Sequence, residues 1–322
     1  MSPSSLIRHN STWAFDSKLP ADWAELVHRL GGGFFHTPLG LRTCATEGEA
    51  VFARLIQDNE VVGIALGARV RCRLGGMFGH LYFPTRPAFT DPEMVQGGMA
   101  RLAMALREWA VAEVWWDGLD LDPVAHHIPR PVRQEYLLDL QEPRDGIADG
   151  RGAGWALTQL EGPAAEAALA RVVAAPRPRN ALRTPGASPA LLQLVAEARS
   201  HSPFWGLTTF AVTNDGELLG AALVGRAGRR AYSLFSGATP AGSLLGAPAW
   251  LQARLIGLLA EAGCTRYTLG HAPLTADDPT DPAHEVHRSH CGLGARPVPC
   301  GGEQWILLAH HMRGHQLFRA TS

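Results

Sequence analysis

Residues 58–66, Asp58-Asn59-Glu60-Val61-Val62-Gly63-Ile64-Ala65-Leu66, return as residues 215–223, Asp215-Gly216-Glu217-Leu218-Leu219-Gly220-Ala221-Ala222-Leu223. Glu60 matches Glu217 and Gly63 matches Gly220 at one offset, 217 − 60 = 220 − 63 = 157. Asp-Asn and Asp-Gly tolerate positive φ and suit a two-residue hairpin turn. Apolar runs precede both turns: residues 51–56 before the first and 209–212 before the second. Shared hairpin chemistry alone could give such a match. The downstream pattern speaks for more, because both hairpins lead into a further strand, a helix and an exit strand. A repeat on the scale of half the chain implies two copies of one domain fold.

The first copy is preceded by a helical pattern over residues 20–30 and then by Phe34-Phe35-His36-Thr37-Pro38, read as an extended or turn segment. After it comes a strand at residues 79–84. A helix to about residue 111 is opened by the Asp91-Pro92-Glu93 cap, and a strand at residues 114–116 comes next. A further strand is expected at residues 136–140, then a Gly/Asp/Arg-rich linker at 142–154, which sets domain boundaries at 1–150 and 151–322. The second copy is preceded by helices at 163–173 and 189–199 and succeeded by a strand at 230–235. A small-residue loop at 236–246, a helix at 247–262 and a strand at 265–270 come after it. Residues 274–284 read as a mobile polar loop and 304–309 as a last strand. Alternating strands and helices in each half give a mixed α/β (α+β) class.

The 322 residues suit two domains of ordinary size, and 46% hydrophobic content suits a packed core. A net charge of −1 excludes nucleic-acid binding by a strongly basic field, so any RNA contact is local. Lys18 is the only lysine, and the remaining basic residues are arginines. Five scattered cysteines without a CxxC favour free thiols and a reducing compartment. No leader-like apolar segment or run of membrane-spanning length is seen, so a soluble, cytoplasmic protein is expected; a monomer is the default because two similar halves in one chain can pack as an internal pseudo-dimer.

The order of hairpin, strand, helix and strand in each half resembles the GNAT acyltransferase fold. Two such halves in one chain resemble the Fem-type aminoacyltransferases, the FemABX group. Phe35-His36-Thr37-Pro38 resembles that family's Phe-Gln-Ser-Pro, with His for Gln. Tyr82-Phe83-Pro84-Thr85-Arg86-Pro87 resembles its Tyr-x-Pro-Arg-Gly-Pro. Residues 177–183, with Arg177, Arg179 and Arg183, resemble its basic stretch. Residues 289–298 resemble the closing Phe-Lys-x-x-Phe-Gly-Ala-x-Pro-Val, with Ser289 and His290 in place of the Phe-Lys pair. The resemblance implies transfer of an amino acid from aminoacyl-tRNA to an amine of a cell-wall precursor or peptide, with two tandem GNAT-like domains and no bound cofactor.

The chemistry needs an amine nucleophile, a route for its proton and donors for the tetrahedral oxyanion. A cleft of this type opens where two central strands splay, here residues 232–235 and 267–270. Its catalytic candidates are Tyr232, Tyr267 and His290, the last as oxyanion donor or proton shuttle, with an ordinary loop histidine as the alternative. His36, Tyr82, Arg86, Arg177, Arg179 and Arg183 are substrate-binding candidates. The three second-half arginines suit phosphates or else a solvated loop. Gly237, Thr239, Gly242 and Ser243 precede a helix and are donor-binding candidates, the alternative being a flexible loop. That loop lacks the Arg/Gln-x-x-Gly-x-Gly pattern of acetyl-CoA enzymes, which weighs against the second reading, an acyl-CoA-dependent N-acyltransferase. A third reading is a catalytically silent binding protein. His284, His287 and His290 have zinc-compatible residue types, but in a chain of 14 histidines chance spacing explains them better and no metal is expected. Asp117, Asp120 and Asp122 read as turn residues, and Trp115-Trp116 as core.

Overall fold

A computed structural model describes residues 10–45, 48–70, 79–119, 133–142, 152, 154–175, 192, 195, 204–301 and 303–307. In the first half, β1 (Thr12–Asp16), α1 (Trp23–Arg29) and α2 (Pro38–Cys44) lead to the hairpin β2 (Glu49–Gln57) and β3 (Glu60–Val70). Then come β4 (Gly79–Phe83), the two-residue β5 (Ala88–Phe89), α3 (Val95–Glu108) and β6 (Val111–Trp116). The chain continues through β7 (Arg133–Asp139), β8 (Trp155–Leu160) and α4 (Gly162–Ala174) to the second hairpin, β9 (Trp205–Asn214) and β10 (Glu217–Ala227). It closes with β11 (Arg230–Ala238), α5 (Pro240–Leu245), α6 (Ala247–Glu261), β12 (Arg266–Pro273), α7 (His284–Gly292), β13 (Arg296–Cys300) and β14 (Glu303–Ile306). The repeated order is therefore present in full: β2-β3-β4-α3-β6 and β9-β10-β11-α6-β12.

Both hairpin turns have the backbone their residues allow. Asp58 and Asn59 have φ of 52° and 66°, and Asp215 and Gly216 have 48° and 80°. Two successive positive φ values make the turn whose twist matches antiparallel strands. Each hairpin also carries a bulge near the turn, between Leu55 and Ile56 in the first and between Leu218 and Gly220 in the second.

One sheet runs β1-β2-β3-β4-β6-β14, with β5 paired to β3, and the other runs β13-β7-β12-β11-β10-β9-β8. Residues 1–130 and 301–322 form one compact unit, and 131–300 the other. The boundary expected from the linker lay between residues 150 and 151. The ladder assigns β7 to the second unit, where it pairs with β12 and β13, and assigns β14 to the first, where it pairs with β6. Each half of the chain thus gives its last strand to the other half's sheet.

The cores arise from helical and strand periodicity. In the first unit Met99, Leu102 and Leu106 on α3 are buried with Leu81 and Val114. In the second, Leu251, Leu255 and Leu259 on α6 are buried with Tyr136 and Val212. The Trp115-Trp116 pair divides across β6: Trp116 stacks on Phe83 at 4.2 Å between ring centroids, and Trp115 is exposed.

Two expectations about loops are corrected, and at residues 34–38 the turn alternative is the one observed. Residues 34–38 are a 3-10 turn leading into α2, because the Thr37 hydroxyl accepts from the Gly40 N–H and Pro38 opens the helix. The small-residue loop is the end of β11 and then α5, whose Thr239 cap accepts from the Gly242 N–H. Residues 274–284 are tied down: Thr275 and the Ala283 N–H both donate to Asp281, and Thr280 donates to Asp278.

Candidate active site

The second unit contains an opening in its sheet. Parallel pairing of β11 with β12 covers only Arg230 with Arg266, Ala231 with Tyr267 and Tyr232 with Thr268. Beyond Tyr232, β11 stays on β10 as far as the Ala238–Gly220 pair, while β12 stays on β7 as far as Pro273–Arg133. The strands part, and their facing backbone edges no longer bond to one another. Gly270 has φ of 108°, which a side chain would strain, in the stretch of β12 where its register on β7 shifts. In the first unit the equivalent strands stay zipped: β4 pairs with β6 from Gly79 to Phe83. Asp117 N–H and Leu119 N–H extend that ladder to the Phe83 and Pro84 carbonyls.

At the vertex of the opening, Tyr232 donates its hydroxyl to Glu135 Oε1 at 2.8 Å, and both residues are buried. Thr268, the register partner of Tyr232, is 0% exposed, and its Oγ1 has no hydrogen-bond partner. Tyr267 donates to Gln252 Oε1 at 2.9 Å from full burial, which pushes its phenol pKa up. Glu135 and Thr268 are absent from the sequence-derived candidates. No local pattern marked either one: β7 reads Arg-Gln-Glu-Tyr-Leu-Leu-Asp, so Glu135 is one polar residue among four.

His290 lies on α7, with its ring edge-on to Tyr136 at 4.7 Å. Burial, reinforced by His287, pulls its pKa down to about 4, and its Nδ1 has no partner. At neutral pH it is therefore an uncharged imidazole, able to donate one N–H but not to act as a cation. Beside it, Gln134 Nε2 donates to the Tyr136 hydroxyl at 3.0 Å, and that hydroxyl lies 3.1 Å from His287 Nδ1. Burial pushes the Tyr136 pKa up to about 12, so the hydroxyl keeps its proton. The His284, His287, His290 stretch is helical; among the described residues no His/Cys/Asp/Glu group is placed to hold a metal ion.

The other candidates are dispersed. His36 is buried, with Nδ1 accepting from the Gly33 N–H at 3.1 Å and Nε2 at 2.9 Å from the Arg86 carbonyl. Tyr82 donates to Asp117 at 3.1 Å; burial first, then Cys44 and Asp117, push its pKa far up. Arg86 is buried at the end of the same segment. Arg177, Arg179 and Arg183 lie outside the described residues, as do Asp120 and Asp122.

Residues 144–278 match the family model of an acetyltransferase (GNAT) domain. The crystal structure of FemX superimposes with a TM-score of 0.64 at 11% identity, covering 87% of this chain and 93% of that one. In fold, the chain is similar to FemX. A conserved protein of unknown function from Bacteroides thetaiotaomicron VPI-5482 superimposes with a TM-score of 0.51 at 10% identity, over 90% of this chain and 97% of that one. A tandem GNAT protein from the clavulanic acid biosynthesis pathway gives 0.49 at 15% identity, over 92% and 99%. No curated protein matches in sequence.

Gly237, Thr239, Gly242 and Ser243 lie on and just after the splayed half of β11. Thr239 Oγ1 takes the Gly242 N–H at 3.1 Å, and the Thr239 carbonyl takes the Ser243 N–H at 2.8 Å. The Gly242 amide, one of those a helix start would turn toward an anion, is thus already bonded. Among the described residues no helix is long and apolar enough to cross a membrane.

Proposed function

We propose that the chain is a Fem-like N-acyltransferase that moves an aminoacyl group from aminoacyl-tRNA to an amine on a cell-wall precursor or peptide natural product. The observation that carries this reading is the divergence of β11 from β12 after Tyr232, in the half that matches the GNAT family model. Released backbone N–H groups suit a tetrahedral oxyanion, because they are fixed in place before charge develops. The amine nitrogen bonds to the ester carbon, the ester C–O bond breaks, and the ribose oxygen leaves with a proton from the nitrogen.

An aminoacyl-tRNA donor is favoured over acyl-CoA by the segment after β11. CoA-type recognition places a pyrophosphate on unbonded amides at a helix start. Here Thr239 occupies one of them, the helix has six residues, and the segment offers no arginine. Arg177, Arg179 and Arg183 are the proposed phosphate contacts for the tRNA end or a nucleotide-linked acceptor. His290 serves this chemistry as a neutral N–H donor.

A labelled panel of charged tRNAs and acyl-CoAs, each with a mixed amine acceptor pool, tests the reading. Amide formation from charged tRNA is the expected result. Turnover from acyl-CoA alone replaces it with the CoA-dependent reading, and binding without turnover replaces it with a silent binding protein.

A further inference from the structure

We infer that Trp115, with the polar side chains around it, is a platform for a neutral pyranose ring. The site lies within the first unit's sheet. It goes beyond the acyl-transfer reading and does not depend on it.

Three observations converge. First, Trp115 is 40% exposed although it stands inside a sheet, in register with Tyr82 on β4 and with Gln304 on β14. The helices α1 and α2 pack against β3, two strands away, and leave the ring open. Second, the indole is unused. Trp13 and Trp23 donate their N–H groups to the Gly98 and His36 carbonyls, and Trp116 stacks on Phe83. Among the described residues Trp115 stacks on no ring, and its N–H meets no acceptor. Third, carboxylates stand two residues to either side, Glu113 and Asp117, and so on the same face of the chain. Glu113 accepts from His80 Nδ1 at 3.0 Å and from Gln304 Nε2, and Asp117 accepts from the Tyr82 hydroxyl at 3.1 Å.

These pairings select the ligand. Both carboxylates are engaged, so a cation would have to compete with donors already in place. A nucleotide would bring its phosphate beside two carboxylates. A neutral sugar meets neither obstacle. Its polarised C–H groups suit the negative face of the indole. Its hydroxyls both donate and accept: the carboxylates have lone pairs beyond those in use, and the indole N–H supplies a donor. An open aromatic wall with a few polar groups beside it is how small-molecule sites fix a ligand's orientation.

The test uses the full chain with methyl β-D-glucopyranoside and its N-acetylglucosaminide counterpart, read by saturation-transfer NMR and calorimetry. Tetramethylammonium and adenosine monophosphate serve as the cationic and nucleotide probes. The parent is expected to bind a glycoside in preference to both. Trp115→Ala should weaken that binding about tenfold, the value of one aromatic contact, and Trp115→Phe, which keeps a ring but loses the N–H, should fall between. Should Trp115→Ala fold poorly, Trp115→Thr, suited to a strand position, carries the comparison. Equal glycoside affinity in the folded variants and the parent overturns the inference. So does a parent that binds neither glycoside, or that prefers the cation or the nucleotide. Glycoside binding through Trp115 without turnover of any donor leaves the platform standing and overturns the acyltransferase reading; turnover without glycoside binding does the reverse.

Discussion

His36 Nε2 lies 2.9 Å from the Arg86 carbonyl oxygen, and because Nδ1 already accepts from the Gly33 N–H, Nε2 carries the proton and donates. The ring is thereby a neutral clamp between the turn before α2 and the segment after β4. His36→Leu strands both backbone groups in a buried setting and should cost about 2–4 kcal/mol. His36→Gln should lose less, since an amide can donate at one end and accept at the other. Chemical denaturation of the three proteins checks this. Equal stability of the leucine and glutamine variants would show that the two bonds contribute nothing.

His290 makes stability depend on acid. Its folded pKa, about 4, lies below the ordinary histidine value of 6.5, with burial as the main cause. The unfolded chain therefore takes up this proton first as pH falls. The contribution is complete above about 6.5, declines between 6.5 and 4, and reaches on the order of 3 kcal/mol lost. His290→Phe should flatten that acid limb while leaving stability at pH 8 little changed. Thermal unfolding from pH 8 to pH 4 reads the difference. Turnover, in turn, should show no histidine titration from this residue between pH 6 and 8.

Gly242 packs α5 directly onto β10. A Cβ at this position would lie only 1.9 Å from the Leu219 carbonyl oxygen, a backbone atom that cannot swing aside. Gly242→Ala should therefore destabilise by about 3 kcal/mol or more. Ser243→Ala, one residue on, should stay within about 0.5 kcal/mol. Similar values for the two would mean that α5 moves freely and the contact is soft.

Tyr267 and Gln252 are buried partners at 2.9 Å. Tyr267→Phe leaves the Gln252 carbonyl oxygen bare and should cost about 1–3 kcal/mol. Gln252→Leu alone should cost a similar amount. The double variant should cost less than the sum, since both polar groups are then gone. Strict additivity in this cycle would contradict the bond. If Tyr267 acts through structure, turnover in Tyr267→Phe should track the folded fraction.

The two hairpins, α3, α6 and the strands around them were legible because turn residues and apolar period agree in each. Thr37 shows how a motif can be seen and its geometry missed. Phe-x-Thr-Pro reads as extended or turn, yet the Thr37 hydroxyl caps a helix that contains Gly40 and lacks a strong apolar face. Tyr136-Leu137-Leu138 was legible as a strand, but its sheet was not, since pairing across long sequence separation leaves no local mark. The same limit hid Glu135 and Thr268. Neither has a distinctive neighbour in sequence, and only the strand order brings them to Tyr232.

The exchange of β7 and β14 sets a timetable for synthesis. Folding on the ribosome usually proceeds from the N-terminus, unit by unit. Here the sheet begun by Thr12 awaits a border strand at residues 303–306, which emerges after every strand of the other sheet. The first half to be translated is thus the last to be closed. Until then, β6 presents a bare backbone edge, the kind of surface chaperones screen and neighbouring nascent chains can seize.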